Sequence, residues 1–226
     1  MKIFAVVPNY NERGRIGAVV RALLPRVHRV IVVDDGSSDG SAEEARAAGA
    51  DVVQHVLNRG QGAALKTGTV LASAAGADVI VHFDADGQHD PEAIPLLTGP
   101  ILDGRADVVF GSRFLGVTSV GMPFSRRVLL AAARQFSGIV LGIPRHVTDP
   151  QSGMRALTPA AAETIDFMQD RMAHCSEILR NAHASELRCV EVPIRVRYTA
   201  ETLAKGQKAT DAFKIVWQLL LGAFQH

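Results

Sequence analysis

The chain has 226 residues, 47% of them apolar, with 24 basic against 23 acidic side chains and a formal net charge of +1. That size suits one α/β unit with a sizeable core, and the balanced charge removes any global demand for nucleic acid or another polyanion as partner. The two cysteines, Cys175 and Cys189, lack metal-ligand spacing and are too few for a disulfide framework, which fits a reducing compartment.

Residues 1–7 run into a strand-like segment without the regions of a secretory signal. No stretch reaches the ~18 consecutive apolar residues of a spanning helix, so a cytoplasmic location is expected. Two stretches, 128–133 and 215–224, could lie on a membrane surface with Arg134, Lys214 or Trp217 at the headgroups, or pack as amphipathic helices on the core.

Short β-branched runs alternate with helix-like stretches, the pattern of a parallel sheet covered by helices. Strands are predicted over 3–7, 29–34, 51–55, 78–83 and 107–111. Between the second and third, Ser41 and Glu44 have capping-box spacing and Gly49 is placed to end the helix. A further helix spans 61–75 despite Gly68, and Asp90 with Pro91 starts another towards residue 102. Beyond residue 114 the rhythm changes: 125–141 reads as a helix with arginines along it, 149–153 as a turn, Thr158-Pro159 as a helix start, 174–183 as a helix and 187–196 as a strand. No repeat or linker divides the chain.

Ligands of open parallel sheets collect at the carboxyl ends of the strands. Asp84 and Asp86 follow the apolar run 79–81, and residues two apart in extended chain project to one side. Two carboxylates so placed suit a hard divalent cation, Mg²⁺ or Mn²⁺, completed by substrate phosphates and water, and Gln88 could add a neutral oxygen. Asp34 ends a buried strand beside glycines, where its carboxylate could accept from a base N–H or a ribose hydroxyl, whereas Asp39 and Ser41 read as turn and cap residues. A dinucleotide fingerprint is absent after the first strand, Gly60-Gln61-Gly62 follows the wrong one, and Lys66 stands after Leu65 with no Walker sequence around it. His82 reads as a packed strand residue and His89 as a neighbour of the metal.

The segments Pro8-Asn9-Tyr10-Asn11-Glu12, Asp34-Asp35-Gly36-Ser37-Ser38-Asp39-Gly40, Asn58-Arg59-Gly60-Gln61-Gly62, Asp84-Ala85-Asp86-Gly87-Gln88-His89 and Gly111-Ser112-Arg113-Phe114 stand in the order seen in glycosyltransferase family 2, and the chain resembles its polyprenyl-phosphate branch, of dolichyl-phosphate mannose synthase type. Asp149-Pro150-Gln151-Ser152-Gly153-Met154-Arg155 is similar to that family's D-x-x-S-G-F-R, with Met154 in place of Phe. The resemblance implies a glycosyltransferase A fold: one Rossmann-like α/β domain over 1–226, mostly parallel in its sheet with helices on both faces. Residues 1–112 would bind the nucleotide diphosphate sugar and 113–226 the acceptor. It implies Pro8, Tyr10, Glu12, Asp34 and Asp35 around base and ribose, with Lys66, Arg197 and Lys205 also among the donor-binding candidates. Asp84, Asp86 and Gln88 would hold Mg²⁺ or Mn²⁺, and Arg113 and Arg127 would grip an acceptor phosphate. The long carboxyl-terminal membrane segments of many relatives have no counterpart in this sequence.

Such an enzyme would be inverting, moving a hexose from a donor of GDP-mannose or UDP-glucose type to a polyprenyl or dolichyl phosphate at the cytoplasmic membrane surface. Asp86 stands at the leaving diphosphate. A soluble hydroxyl acceptor is the alternative, and it would need a base, for which Asp149 or Glu177 are candidates, although Glu177 reads more simply as a cap or a surface carboxylate. A silent nucleotide-sugar-binding module is the third possibility. A sugar-1-phosphate nucleotidyltransferase should open on a glycine-rich loop bearing Arg, which this chain lacks.

Overall fold

Strands that read as unbroken apolar runs must be covered on both faces, and helices on each side provide that cover. The computed structural model describes residues 1–116, 128, 130–131, 134–135, 138, 143–144, 146–170 and 174–198. In chain order they form β1 (Ile3–Asn9), α1 (Ile16–Leu23), β2 (Arg29–Asp34), α2 (Ser41–Ala47), β3 (Asp51–Gln54), α3 (Gln61–Ala74), β4 (Val79–His82), a 3-10 turn (Pro91–Ala93), α4 (Ile94–Leu102), β5 (Val108–Ser112), β6 (Arg155–Leu157), α5 (Pro159–Ile165), α6 (His174–Ala184) and β7 (Cys189–Pro193). The strands expected in the first half are present, with ends shifted by at most two residues. Most of the helix expected over 125–141 lies outside the described residues, as do Arg126, Arg127, Lys205 and the 215–224 stretch.

The strands form one sheet in the order β3-β2-β1-β4-β6-β5-β7. All its neighbour pairs are parallel except those of β6, which runs antiparallel between β4 and β5. No strand was expected at 155–157: it is three residues long, and its first residue is a fully buried arginine, so neither length nor alternation announces it.

Alternation along β1 sends Ala5 and Val7 to one face and Phe4 and Val6 to the other. The first face packs on α1, α2 and α4 through Val20, Leu23, Ala45, Ile94 and Leu97. The second packs on α3, α5 and α6 through Ala64, Leu65, Ile165, Ile178 and Leu179. Each fully buried Leu or Ile contributes about 1.5–3 kcal/mol, so these two layers supply most of the drive for folding. Gly68 explains how α3 sits so close to the sheet: a Cβ there would stand 2.3 Å from Val6 Cγ1.

Asp90 caps the 3-10 turn through Glu92 N, and Thr158 caps α5 through Ala161 N, as the sequence indicates. The capping box expected from Ser41 and Glu44 does not form. Gly40, with φ of 86°, is the N-cap of α2, and Asp39 Oδ1 accepts from Ser41 N at 2.9 Å. Glu44 instead reaches across to α1, accepting from Gly14 N at 2.6 Å and Gly17 N at 3.0 Å, because the first amides of that helix have no intrahelical acceptor.

Candidate active site at the carboxyl edge of the sheet

β1 and β2 end side by side in Asn9 and Asp34. Asn9 Nδ2 donates to Asp34 Oδ1 at 2.6 Å and to Ser41 Oγ at 2.9 Å, while Ser37 N donates to Asp34 Oδ2 at 3.1 Å. Asp35 accepts from Arg59 N at 3.0 Å, from Gly60 N at 2.6 Å and from His55 Nδ1 at 2.8 Å. Gly36 makes this closeness possible: its φ is 78°, and a Cβ would meet Asn58 N at 3.0 Å. Both carboxylates are buried and engaged by protein donors. In this arrangement they fix the 35–40 and 58–61 loops. Pro8 is buried in β1, and Tyr10 stands half exposed just beyond it. Glu12 pairs with Arg15 and gives its carbonyl to Arg15 N and Ile16 N at the start of α1.

The loop after β4 carries the acidic pair. Asp84 Oδ1 accepts from Gln61 Nε2 and Asp84 Oδ2 from His89 Nε2, each at 2.9 Å. Burial alone would raise the Asp84 carboxyl, but the His89 hydrogen bond and the nearby charges of His89, Arg155 and His174 hold it below its ordinary value. Asp86 moves the other way, raised by burial first and then by the charges of Asp84 and Glu12. Gln88 N donates to Asp86 Oδ1 at 2.9 Å, and Gln88 O accepts from Arg197 N at 2.9 Å. Val196 bridges His89, so the chain after β7 crosses this loop, and Arg197 Nη2 stands 3.6 Å from Asp90 Oδ2.

These residues fit a hard divalent cation. Asp86 is raised first by burial and then by the charges of Asp84 and Glu12, and a cation would offset that negative charge; Gly153 leaves room at the carboxylate, since a Cβ there would approach Asp84 Oδ2 to 2.8 Å. Among the described residues no group of three or more His, Cys, Asp or Glu side chains is gathered to hold a metal ion. Two carboxylates suffice for magnesium-type sites, where phosphates and water complete the shell.

At the end of β5, Arg113 Nε and Nη2 donate to the two oxygens of Asp149, each at 2.6 Å, and Arg113 N adds a third bond at 3.0 Å. Burial opposes the charge on Arg113, but the Asp149 carboxylate outweighs it and raises the guanidinium further. Tyr198 Oη lies 3.4 Å from Arg113 Nη1. Behind the pair, the Glu191 carboxylate in β7 accepts from Thr148 N at 2.8 Å and Asp149 N at 3.1 Å. Asp149 is therefore no open base; it anchors Arg113. Glu177 likewise accepts from Met168 N and Gln169 N, at 3.0 and 2.8 Å, so it is a buried anchor of the segment before α6 and not the helix cap or surface carboxylate expected. Lys66, on α3, pairs through its ammonium with Asp166 at 2.8 Å, and the start of α3 packs against the segment that carries Asp170. The sequence assigns Gln61, Glu191 and Tyr198 no individual role, since each reaches its partner only through the fold.

The family profile described as glycosyl transferase family 2 matches residues 4–161. The chain belongs to that family. This family 2 glycosyltransferase is 32% identical over 240 residues to the UDP-N-acetylglucosamine–dolichyl-phosphate N-acetylglucosaminyltransferase of Methanococcus voltae, covering 97% of this chain and 95% of that one. It is 36% identical over 207 residues to the polyprenol monophosphomannose synthase of Mycolicibacterium smegmatis, covering 85% and 76%. Among solved structures it is similar to glucosyl-3-phosphoglycerate synthase from Mycobacterium tuberculosis in complex with Mn²⁺, UDP and glucosyl-3-phosphoglycerate, with a TM-score of 0.76, 22% identity, and coverage of 97% and 77%. The shared architecture is the glycosyltransferase A fold expected from the sequence.

Proposed function

We propose that this family 2 glycosyltransferase is an inverting hexosyltransferase whose donor is a nucleotide diphosphate sugar of GDP-mannose or UDP-glucose type and whose acceptor is a polyprenyl or dolichyl phosphate presented at the cytoplasmic membrane surface. The relatives named for dolichyl and polyprenol acceptors support the lipid phosphate. The observation that carries the reading is the Arg113–Asp149 pair at the same sheet edge as Asp84 and Asp86.

A hydroxyl acceptor must lose a proton to attack, yet the candidate bases Asp149 and Glu177 are both committed to protein donors. A phosphate monoester is already anionic at neutral pH and needs orientation and charge compensation instead. Arg113, locked by Asp149 in one rotamer, and Arg127 would provide both. Asp84, Asp86 and Gln88 would hold Mg²⁺ or Mn²⁺, which when bound supplies positive charge to the departing diphosphate. Tyr10, with the loops fixed by Asp34 and Asp35, would frame the nucleoside, and Arg197 and Lys205 would approach the donor phosphates. The acceptor oxygen bonds to the sugar C1 as the bond from C1 to the diphosphate breaks, and attack from the opposite face inverts that carbon. The donor half would then lie in residues 1–112 and the acceptor half in 113–226.

The test offers the purified chain GDP-mannose and UDP-glucose with Mn²⁺ and either a short polyprenyl phosphate or soluble sugar acceptors. A β-linked lipid product from an α-linked donor is expected. Transfer to soluble hydroxyls only, or retention at C1, would overturn the proposal.

A further inference from the structure

Beneath the acidic loop lies a layer of polar side chains sealed from solvent: His82, Arg155, His174 and Cys175, with Ser152 beside them. Arg155 is the largest, fully buried in β6, where it pairs in register with His82 of β4 and Phe110 of β5. Its Nε donates to Gly153 O at 3.2 Å, and Nη2 donates to Ser152 O at 3.3 Å and to Cys175 Sγ at 3.2 Å. Nη1 is buried with no hydrogen-bond partner. Its charge is felt by the Asp84 carboxylate, but among the described residues no carboxylate stands in direct ion-pair contact with it.

A guanidinium keeps its proton under all ordinary conditions, and burying one without an anion is costly. The atom in contact that can carry negative charge is Cys175 Sγ, which also lies 3.4 Å from His174 Nε2. Burial would raise the Cys175 thiol, but His174 and Arg155 bring it down to about 6.

The two carbonyls that Arg155 grips belong to the turn that meets the acidic loop. Gly153 stands so close that a Cβ would reach Asp84 Oδ2 at 2.8 Å, and Ser152 N donates to Asp149 O at 3.2 Å. A shift of this turn towards the acidic loop would therefore crowd Asp84. It also moves the segment that carries the counter-ion of Arg113.

We infer that Arg155 is a positioning residue of the donor site, balanced by the Cys175 sulfur, and that it sets the Ser152–Gly153 turn against Asp84 so that the carboxylate is shaped for its cation. This rests on the reading of Asp84 as a metal ligand.

The test measures free Mn²⁺ by electron paramagnetic resonance in the presence of GDP or UDP, for the wild type, Asp84→Asn, Arg155→Lys and Cys175→Ala. Thermal unfolding of each variant is followed alongside. Arg155→Lys and Cys175→Ala should unfold cooperatively, bind nucleotide alone as the wild type does, and bind Mn²⁺ about tenfold more weakly, as loss of an outer-shell support does. Wild-type Mn²⁺ affinity in both variants, with binding lost in Asp84→Asn, would overturn this inference and leave the proposed function standing. If Arg155→Lys does not fold, Cys175→Ala decides alone. Absence of Mn²⁺ binding in the wild type would fell both.

Discussion

At the scale of single residues, Arg113 and Asp149 form the most heavily buried ion pair of the site, with side-chain exposures of 10% and 1%. Such a pair adds little over apolar packing when intact, but removing one partner strands a charge in a poorly solvated place. Asp149→Asn should therefore cost about 3–5 kcal/mol of stability, seen as a lower urea midpoint at unchanged slope, and should abolish transfer. Asp86 makes the opposite prediction. Its carboxyl is raised in the fold, so the folded state holds that proton more tightly than the unfolded chain, and metal-free stability falls as pH rises from 3.8 through the raised value. Asp86→Asn should remove this decline and raise the metal-free melting temperature at neutral pH while losing Mn²⁺ binding. An unchanged or lowered melting temperature would show that Asp86 carries no such electrostatic cost. Asp84 and Asp86 were readable in the sequence because strand, acidic pair and glycine are contiguous. The Arg113–Asp149 bond spans 36 residues; the resemblance marks both segments, and Asp149 reads as a candidate base, but their pairing is set by the fold alone.

At the scale of elements, α3 depends on a residue with poor helix propensity. Gly68 costs the helix roughly 1 kcal/mol relative to alanine when exposed, yet here a Cβ would press on Val6 Cγ1 at 2.3 Å and Val33 Cγ2 at 3.1 Å. Gly68→Ala should thus destabilise by about 1–3 kcal/mol through overpacking. Adding Val6→Ala should recover part of that loss, a non-additivity that a double-mutant cycle in urea would measure. Helix and strand positions were legible wherever apolar period and turn residues agreed, as for β2, whose expected and observed limits coincide. Glu44 was misread because a capping box and a cross-helix cap share the same spacing in sequence. Only the packing of α1 against α2 decides between them.

For the whole molecule, the carboxyl ends of β1, β2, β4 and β5 bring four separated loops to one edge. The acidic and basic halves of the site therefore share one edge only in the folded state. Mn²⁺ with GDP or UDP should raise the melting temperature, since a ligand at ~100 times its dissociation constant adds about 2.7 kcal/mol to the native state. Asp84→Asn should show no metal-dependent part of that shift in a dye-monitored melt. Among the described residues no helix is long and apolar enough to cross a membrane. The sheet's overall class was legible from its alternation, but its order was not, because the one reversed strand sits in the middle.

That reversed strand has a consequence for how the chain comes off the ribosome. Among the described residues β5 is hydrogen-bonded only to β6 and β7, and the outer edge of β4 is closed only by β6. Until residue 157 has been synthesised, a nascent chain holds four paired strands with a bare, apolar rim and a fifth strand without a neighbour. Unpaired rims of this kind invite intermolecular pairing. Biogenesis of this enzyme therefore passes through a vulnerable interval that ends when three residues slot into place.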